Sequence, residues 1–174
     1  MPQKNSALPP VIFVHGNGDS AALWQTTFWR FESNGWTPDL LHALDVPYPL
    51  ARDADHKEQA GRSSTTEHMQ SLRALVESVI QKTGAKQVVL IGNSRGANAI
   101  RNYICNVDGA QRVSHAILGG GTNHGVQAVP GWNDASEFSG VGPFLKQLNA
   151  PKNDKGDEVC GPTRWMTIRS DNND

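Results

Sequence analysis

A serine flanked by two glycines has the clearest potential for nucleophilic chemistry in this chain. Residues 92–96, Gly-Asn-Ser-Arg-Gly, have the G-x-S-x-G spacing of a nucleophile elbow, a sharp turn that joins a strand to a helix. The apolar run 88–91 and the segment 97–100 provide that strand and that helix. Glycines are expected beside the serine because neighbouring main chain comes close there. The pattern predicts Ser94 as a nucleophile, with a solvated serine in a glycine-rich loop as the alternative.

A second loop could stabilise the negative charge that forms when a serine attacks a carbonyl group. Residues 15–18, His-Gly-Asn-Gly, follow the apolar run 11–14. An acyl-transfer site needs two backbone N–H donors aimed at the oxyanion, each typically worth about 3 kcal/mol. We expect these donors to be the N–H groups of Asn17 and Arg95, with Gly16 lining the substrate-binding site. The alternative is an ordinary glycine turn. This chemistry requires neither a metal nor a cofactor.

The fold that must position both loops is predicted from alternating strand-like and helix-like segments. Strands are predicted at 11–14, 39–44, 87–91, 113–118 and 164–169. Helices are predicted at 21–33, from a capping box at 64–67 to Gly84, and from the elbow to about 106. This order predicts the α/β class, with a mostly parallel central sheet and helices on both faces. We expect a single domain over 1–174, with its chemistry at the carboxyl ends of the strands.

Composition argues against two classes of partner. The chain has 174 residues and a net charge of −1, so it offers no basic surface for nucleic acid or an anionic membrane. No apolar run approaches about 18 residues, so no membrane-spanning segment is predicted. Residues 1–6 lack the apolar core of a secretion signal.

The motifs together resemble the α/β-hydrolase fold, and more narrowly the small bacterial lipases, esterases and polyester depolymerases. The resemblance is carried by the segments 15–19, 92–96, 123–125, 144–149 and 170–174. It implies hydrolysis of a small-molecule or lipid ester through an acyl-enzyme on Ser94. Polyester or lactone hydrolysis by the same machinery is an alternative. Arg95 departs from the apolar residue usual after the serine, and we expect it to make the pocket entrance more polar.

The family order of serine, acid and histidine implies an acid after the last predicted strand. Asp174 is favoured for this role and Asp171 is the reserve, although either could be a solvated turn residue. In this family the histidine follows the acid after one more strand, about 30 residues further on. The resemblance therefore implies that a further C-terminal segment supplies the histidine, and that 1–174 lacks the fold's last strand and helix. A non-catalytic binding domain is the alternative if no histidine is supplied.

A long irregular stretch, 122–163, leaves the predicted active face and is interpreted as a lid or insertion. Trp132 and Phe144 could line an acyl pocket there, together with Phe138 and Leu145, or could form a small core beneath the loop. His124 lies in the same stretch and is interpreted as pocket-lining or structural.

The two cysteines are expected at the face opposite the predicted site. Cys105 lies near the end of the helix that follows the serine, and Cys160 lies just before the last strand. A disulfide between them would imply an oxidising compartment and so favour a secreted or periplasmic location. Two separate buried thiols are the alternative.

Overall fold

A computed structural model describes residues 8–126 and 133–170 of the chain. Its strands are β1 (Val11–Val14), β2 (Leu41–Ala43), β3 (Leu50–Ala51), β4 (Arg62–Ser63), β5 (Val88–Asn93), β6 (Val113–Gly119) and β7 (Arg164–Ile168). Its α-helices are α1 (Gln25–Glu32), α2 (Thr65–Thr83), α3 (Arg95–Asn106) and α4 (Pro143–Leu148). Short 3-10 helices lie at Ala21–Trp24, Pro38–Leu40 and Gly109–Gln111. The five predicted strands and three predicted helices are confirmed.

The central sheet, predicted to be mostly parallel, is parallel throughout, with the strand order β2-β1-β5-β6-β7. The strands β3 and β4 form a separate parallel pair. These two-residue strands were not predicted, and neither was α4, which lies inside the stretch expected to be irregular. All three are too short to produce a readable hydrophobic period.

Strand β1 is buried on both faces, to which its successive side chains point in turn, whereas Met166 and Ile168 on the edge strand β7 are exposed. Ile12, Val14 and Leu90 belong to the larger core, which also contains the apolar side chains of α2 and α3. Phe13 points the other way, and its ring centroid lies 5.1 to 5.3 Å from those of Trp24, Phe28 and Phe31. The helices thus lie on both faces, which is why the central strands are continuous apolar runs.

Helix α2 begins and ends where its sequence predicts. The N–H of Ser64 donates to the Glu67 carboxylate at 2.6 Å, and the N–H of Glu67 donates to the Ser64 hydroxyl oxygen at 3.2 Å. This reciprocal pair is the predicted capping box. The helix ends at Gly84, whose φ of 70° is the left-handed conformation that glycine adopts without strain.

The strand order places a crevice at the carboxyl ends of β1 and β5. From β1 the chain moves to β2 on one side, whereas from β5 it moves through β6 to β7 on the other. The connections that follow β1 and β5 therefore lead to opposite sides of the sheet, and such a switch point is the usual position of a ligand site in a parallel sheet. Val14 is paired with Gly92, so residues 15–17 lie across from residues 93–95.

Cys105 and Cys160 form a disulfide with an S–S distance of 2.07 Å, as predicted. The bond joins the end of α3 to the segment that enters β7.

Candidate active site

Ser94 occupies the strand-to-helix turn that its motif predicts. It lies between β5 and α3 with φ 49° and ψ −123°, in a region that residues with a side chain rarely adopt. Its N–H donates to the carbonyl oxygen of Gly119 at 3.0 Å, and its own carbonyl accepts from the N–H of Ala97 at 3.0 Å. The main chain on both sides of the serine thus holds this unfavourable backbone conformation.

The steric reason for the two flanking glycines is also confirmed. A Cβ atom on Gly96 would collide with the carbonyl oxygen of Val14 and lie 2.7 Å from that of His15. A Cβ atom on Gly92 would lie 2.7 Å from Cδ1 of Ile100. The first turn of α3 therefore packs directly on the end of β1, with no room for a side chain between them.

The loop after β1 contacts the serine directly. A Cβ atom on Gly16 would lie 3.1 Å from Ser94 Cβ and 3.6 Å from Ser94 Oγ. The next residue, Asn17, accepts a hydrogen bond from the N–H of Ala51 through its side-chain oxygen at 2.6 Å. Within the part of the chain that the structure describes, no hydrogen bond occupies the N–H of Asn17. The N–H of Arg95 begins α3, where the first-turn amides have no acceptor within the helix.

The side chain of Arg95 does not face the pocket entrance, and the expectation that it makes the entrance more polar is wrong. The guanidinium is fully buried, and its Nε lies 3.0 Å from both carboxylate oxygens of Glu137. Nη1 donates to the carbonyl oxygen of Pro49 and to the hydroxyl of Ser63, each at 2.9 Å. Burial raises the pKa of the Glu137 carboxyl, and the neighbouring guanidinium opposes that shift. The sequence does not reveal this pair, because Glu137 follows in a long loop 42 residues away.

His15 lies in the loop that follows β1. Its ring is buried, Nδ1 lies 2.8 Å from the carbonyl oxygen of Gly16, and Nε2 accepts from the N–H of Val46 at 3.4 Å. With Nδ1 as the donor, both ring nitrogens are used to hold the loop. The ring stacks on His68 at 6.2 Å between centroids. Burial, helped by the positive charge of Arg95, lowers the pKa of His68 to about 3.

Two further histidines lie on strands of the sheet, His42 on β2 and His115 on β6. His124 is exposed, and its Nε2 lies 3.6 Å from a carboxylate oxygen of Glu158. It also lines a cavity of about 290 Å³ beside β6 and β7. All six histidines lie within the described residues, and none forms a hydrogen bond with Ser94 Oγ.

An apolar cavity of about 340 Å³ lies beside the elbow. Its walls include Leu23, Trp24, Ile91, Asn93, Ile117 and Ile168. This cavity was not predicted from the sequence. The one available signal was position, because residues 21–24 come soon after the loop that follows β1.

Other predicted site residues lie elsewhere or outside the described residues. Phe144 lines a different cavity, of about 270 Å³, together with Asp55 and His56 and with Thr66 of α2. Its neighbour Leu145 is fully buried. The predicted acids Asp171 and Asp174 and the predicted pocket residue Trp132 lie outside the described residues. The strand that precedes the two acids ends at the same edge as the elbow, since Gly119 pairs with both Asn93 and Ile168.

The residues that the structure describes contain no cluster of three or more histidine, cysteine, aspartate or glutamate side chains that could hold a metal ion. None of the helices in these ranges is both long and apolar enough to cross a membrane.

The fold is that of an α/β-hydrolase. It has a parallel sheet with helices on both faces, and a strained serine lies between strand and helix at the switch point of that sheet. Within that fold the chain belongs to the lipase (class 2) family, whose sequence model matches residues 8–161. The mature form of the Bacillus licheniformis lipase BlEst2 superposes with a TM-score of 0.66 at 20% identity, covering 95% of this chain and 67% of that chain.

Two other comparisons concern longer proteins. The propeptide form of BlEst2 gives a TM-score of 0.65 at 19% identity and covers 95% of this chain. A non-heme haloperoxidase from Rhodococcus erythropolis is 28% identical over 112 residues, or 63% of this chain. The matched region spans 36% of the propeptide form and 35% of the haloperoxidase, so about a third of each.

Proposed function

We propose that this protein is a serine hydrolase that cleaves carboxylic esters through an acyl-enzyme on Ser94. The observation that carries the proposal is the contact between the elbow and the glycine loop. A serine held at positive φ lies against Gly16, and two backbone N–H groups without acceptors within the described residues flank it. Membership of the lipase (class 2) family supports ester hydrolysis as the reaction.

In the proposed mechanism, Ser94 Oγ attacks the ester carbonyl carbon while a base takes the hydroxyl proton. The oxyanion of the tetrahedral intermediate accepts hydrogen bonds from the N–H groups of Asn17 and Arg95. The C–O bond to the alcohol then breaks, and the protonated base returns its proton to the departing alkoxide. Water attacks the acyl-enzyme in the same way, which releases the acid and restores the serine.

We assign the base to a histidine outside residues 1–174, oriented by Asp174 with Asp171 as the reserve. The assignment is supported by the surroundings of three of the six histidines in the chain. His15 uses both ring nitrogens, His68 is buried with a lowered pKa, and His124 lies beside Glu158. The lid role of 122–163 and the extent of the domain over 1–174 stay predictions.

We propose a small-molecule or lipid ester as the substrate. The cavity beside the elbow supports an apolar group on one side of the ester bond, because leucine, isoleucine and tryptophan side chains line it. The disulfide supports a secreted or periplasmic location, where such bonds persist.

The test compares the full-length protein with Ser94→Ala, using p-nitrophenyl esters of increasing acyl length and a fluorophosphonate probe. We expect Ser94→Ala to lose both turnover and labelling with an unchanged unfolding midpoint, since removing the nucleophile costs on the order of a millionfold. Ser71→Ala is the matched control, because its exposed hydroxyl only bonds the carbonyl of Glu67. Retained turnover in Ser94→Ala would reject the assignment. An unlabelled wild-type protein would favour a non-catalytic binding domain.

A further inference from the structure

We propose that Arg95 and Glu137 are positioning residues whose buried ion pair fixes the two halves of the oxyanion site relative to each other. The inference rests on the proposed function. One half of the site is the backbone N–H of Arg95 itself, and the other is the N–H of Asn17. The side chain of Arg95 also holds the loop that carries Asn17.

The guanidinium uses all its donor nitrogens within the protein. Nε and Nη2 contact the Glu137 carboxylate at 3.0 and 2.9 Å. Nη1 donates to the carbonyl oxygen of Pro49 and to the hydroxyl of Ser63, and Nη2 donates to the carbonyl of Ser63 at 2.7 Å. Because the guanidinium is planar and its acceptors are fixed, the Arg95 side chain has one orientation, which a lysine ammonium cannot reproduce.

The segment 49–51 connects this cluster to the oxyanion loop. The carbonyl oxygen of Pro49 accepts from Arg95 Nη1 at 2.9 Å and also from the N–H of Gly18 at 3.1 Å. Two residues further on, the N–H of Ala51 donates to the side-chain oxygen of Asn17 at 2.6 Å. The loop that carries the Asn17 donor is thus bonded at two points to a segment that the Arg95 side chain holds.

Stability alone does not account for this ion pair. Removing two charges from water is costly, and apolar side chains of similar volume often stabilise a protein at least as well. Geometry gives a better reason, because oxyanion donors must be held to within about 0.5 Å of their productive positions. Glu137 contributes by neutralising and orienting the guanidinium, since the buried Glu137 carboxylate contacts two nitrogens of Arg95.

The test uses Glu137→Gln and Arg95→Lys in the full-length protein, with steady-state kinetics and binding of a boronic acid that mimics the tetrahedral intermediate. We expect kcat to fall about 10- to 100-fold with KM changed less than threefold, because misplaced donors weaken the transition state more than substrate binding. Boronate affinity should fall by a similar factor. Arg101→Lys is the matched control, because Arg101 lies buried on the same helix, pairs with Glu158 and bonds Asn149 instead of segment 49–51.

The outcomes separate positioning from simple stabilisation. If the pair is only structural, Glu137→Gln will lower the unfolding midpoint as Arg101→Lys does but keep the kcat and boronate affinity of the wild type, which overturns the proposal. If the single variants fail to fold, the double variant Arg95→Met/Glu137→Leu takes their place, because it replaces the buried pair by uncharged side chains of similar volume. A folded double variant with reduced kcat supports positioning, and one with wild-type kcat overturns it. Retained turnover in Ser94→Ala would instead reject the underlying function.

Discussion

Gly16 and Ser94 are in van der Waals contact across the switch point of the sheet, since a Cβ atom on Gly16 would lie only 3.1 Å from Ser94 Cβ. The loop after β1 and the turn after β5 thus lie so close that there is little room for a side chain at position 16. The spacing between the serine and the proposed oxyanion donors therefore depends on a glycine at this position.

Replacing Gly16 by alanine should disturb this spacing and leave the fold intact. Its φ is not positive, so alanine adopts the backbone conformation, but the added methyl forces the loop or the serine to move by a few tenths of an ångström. We expect kcat/KM to fall about 10- to 100-fold, since small misplacements at a reacting centre are costly. Ser71→Ala is the control, because its hydroxyl on α2 bonds only the carbonyl of Glu67, away from the site. Equal activity of the two variants would contradict the prediction.

The sequence predicts those parts of this site that depend on local patterns. Continuous apolar runs identify the parallel strands, and the glycine spacing identifies the elbow, because both follow from short-range sterics. The ion pair of Arg95 with Glu137 could not be predicted, because it depends on the path of a long loop. The disulfide could be predicted because the strand-and-helix order already places Cys105 and Cys160 at one face.

The disulfide between Cys105 and Cys160 should contribute strongly to stability. It closes a sequence separation of 55 residues, for which the loss of chain entropy in the unfolded state corresponds to about 4 kcal/mol. We expect Cys105→Ser/Cys160→Ser to unfold at a lower urea concentration by a comparable free energy. A reductant should destabilise the wild type to the same level and leave the double variant unchanged. Equal urea midpoints for oxidised wild type and variant would contradict this estimate.

The capping box of α2 gives a smaller and local prediction. The hydroxyl of Ser64 accepts the N–H of Glu67, an amide that otherwise lacks an acceptor within the helix. Ser64→Ala should therefore lower the free energy of unfolding by about 1 kcal/mol, measured by urea titration. Ser71→Ala on the same helix removes a hydroxyl that is not a cap and should change stability by less than about 0.5 kcal/mol. A loss of equal size in both variants would mean that the cap contributes nothing specific.

His68 should make the fold sensitive to acid. Its folded-state pKa of about 3 lies below the ordinary value of 6.5, so the unfolded chain binds a proton that the folded chain does not. Stability from this group is complete above pH 6.5 and is lost progressively as the pH falls towards 3. The loss at pH 5 relative to pH 7.5 corresponds to about 2 kcal/mol.

His68→Leu should remove this part of the pH dependence, because it replaces the ring by an apolar side chain of similar size. The ring nitrogen Nε2 has no hydrogen-bond partner among the described residues. Removing this nitrogen therefore leaves no other polar group without a partner. The measurement is urea unfolding at pH 7.5 and pH 5 for the wild type, His68→Leu and Met69→Leu. The Met69 variant keeps every titratable group and should lose as much stability on acidification as the wild type. An equal loss in His68→Leu would show that the buried imidazole is not the source of the acid sensitivity.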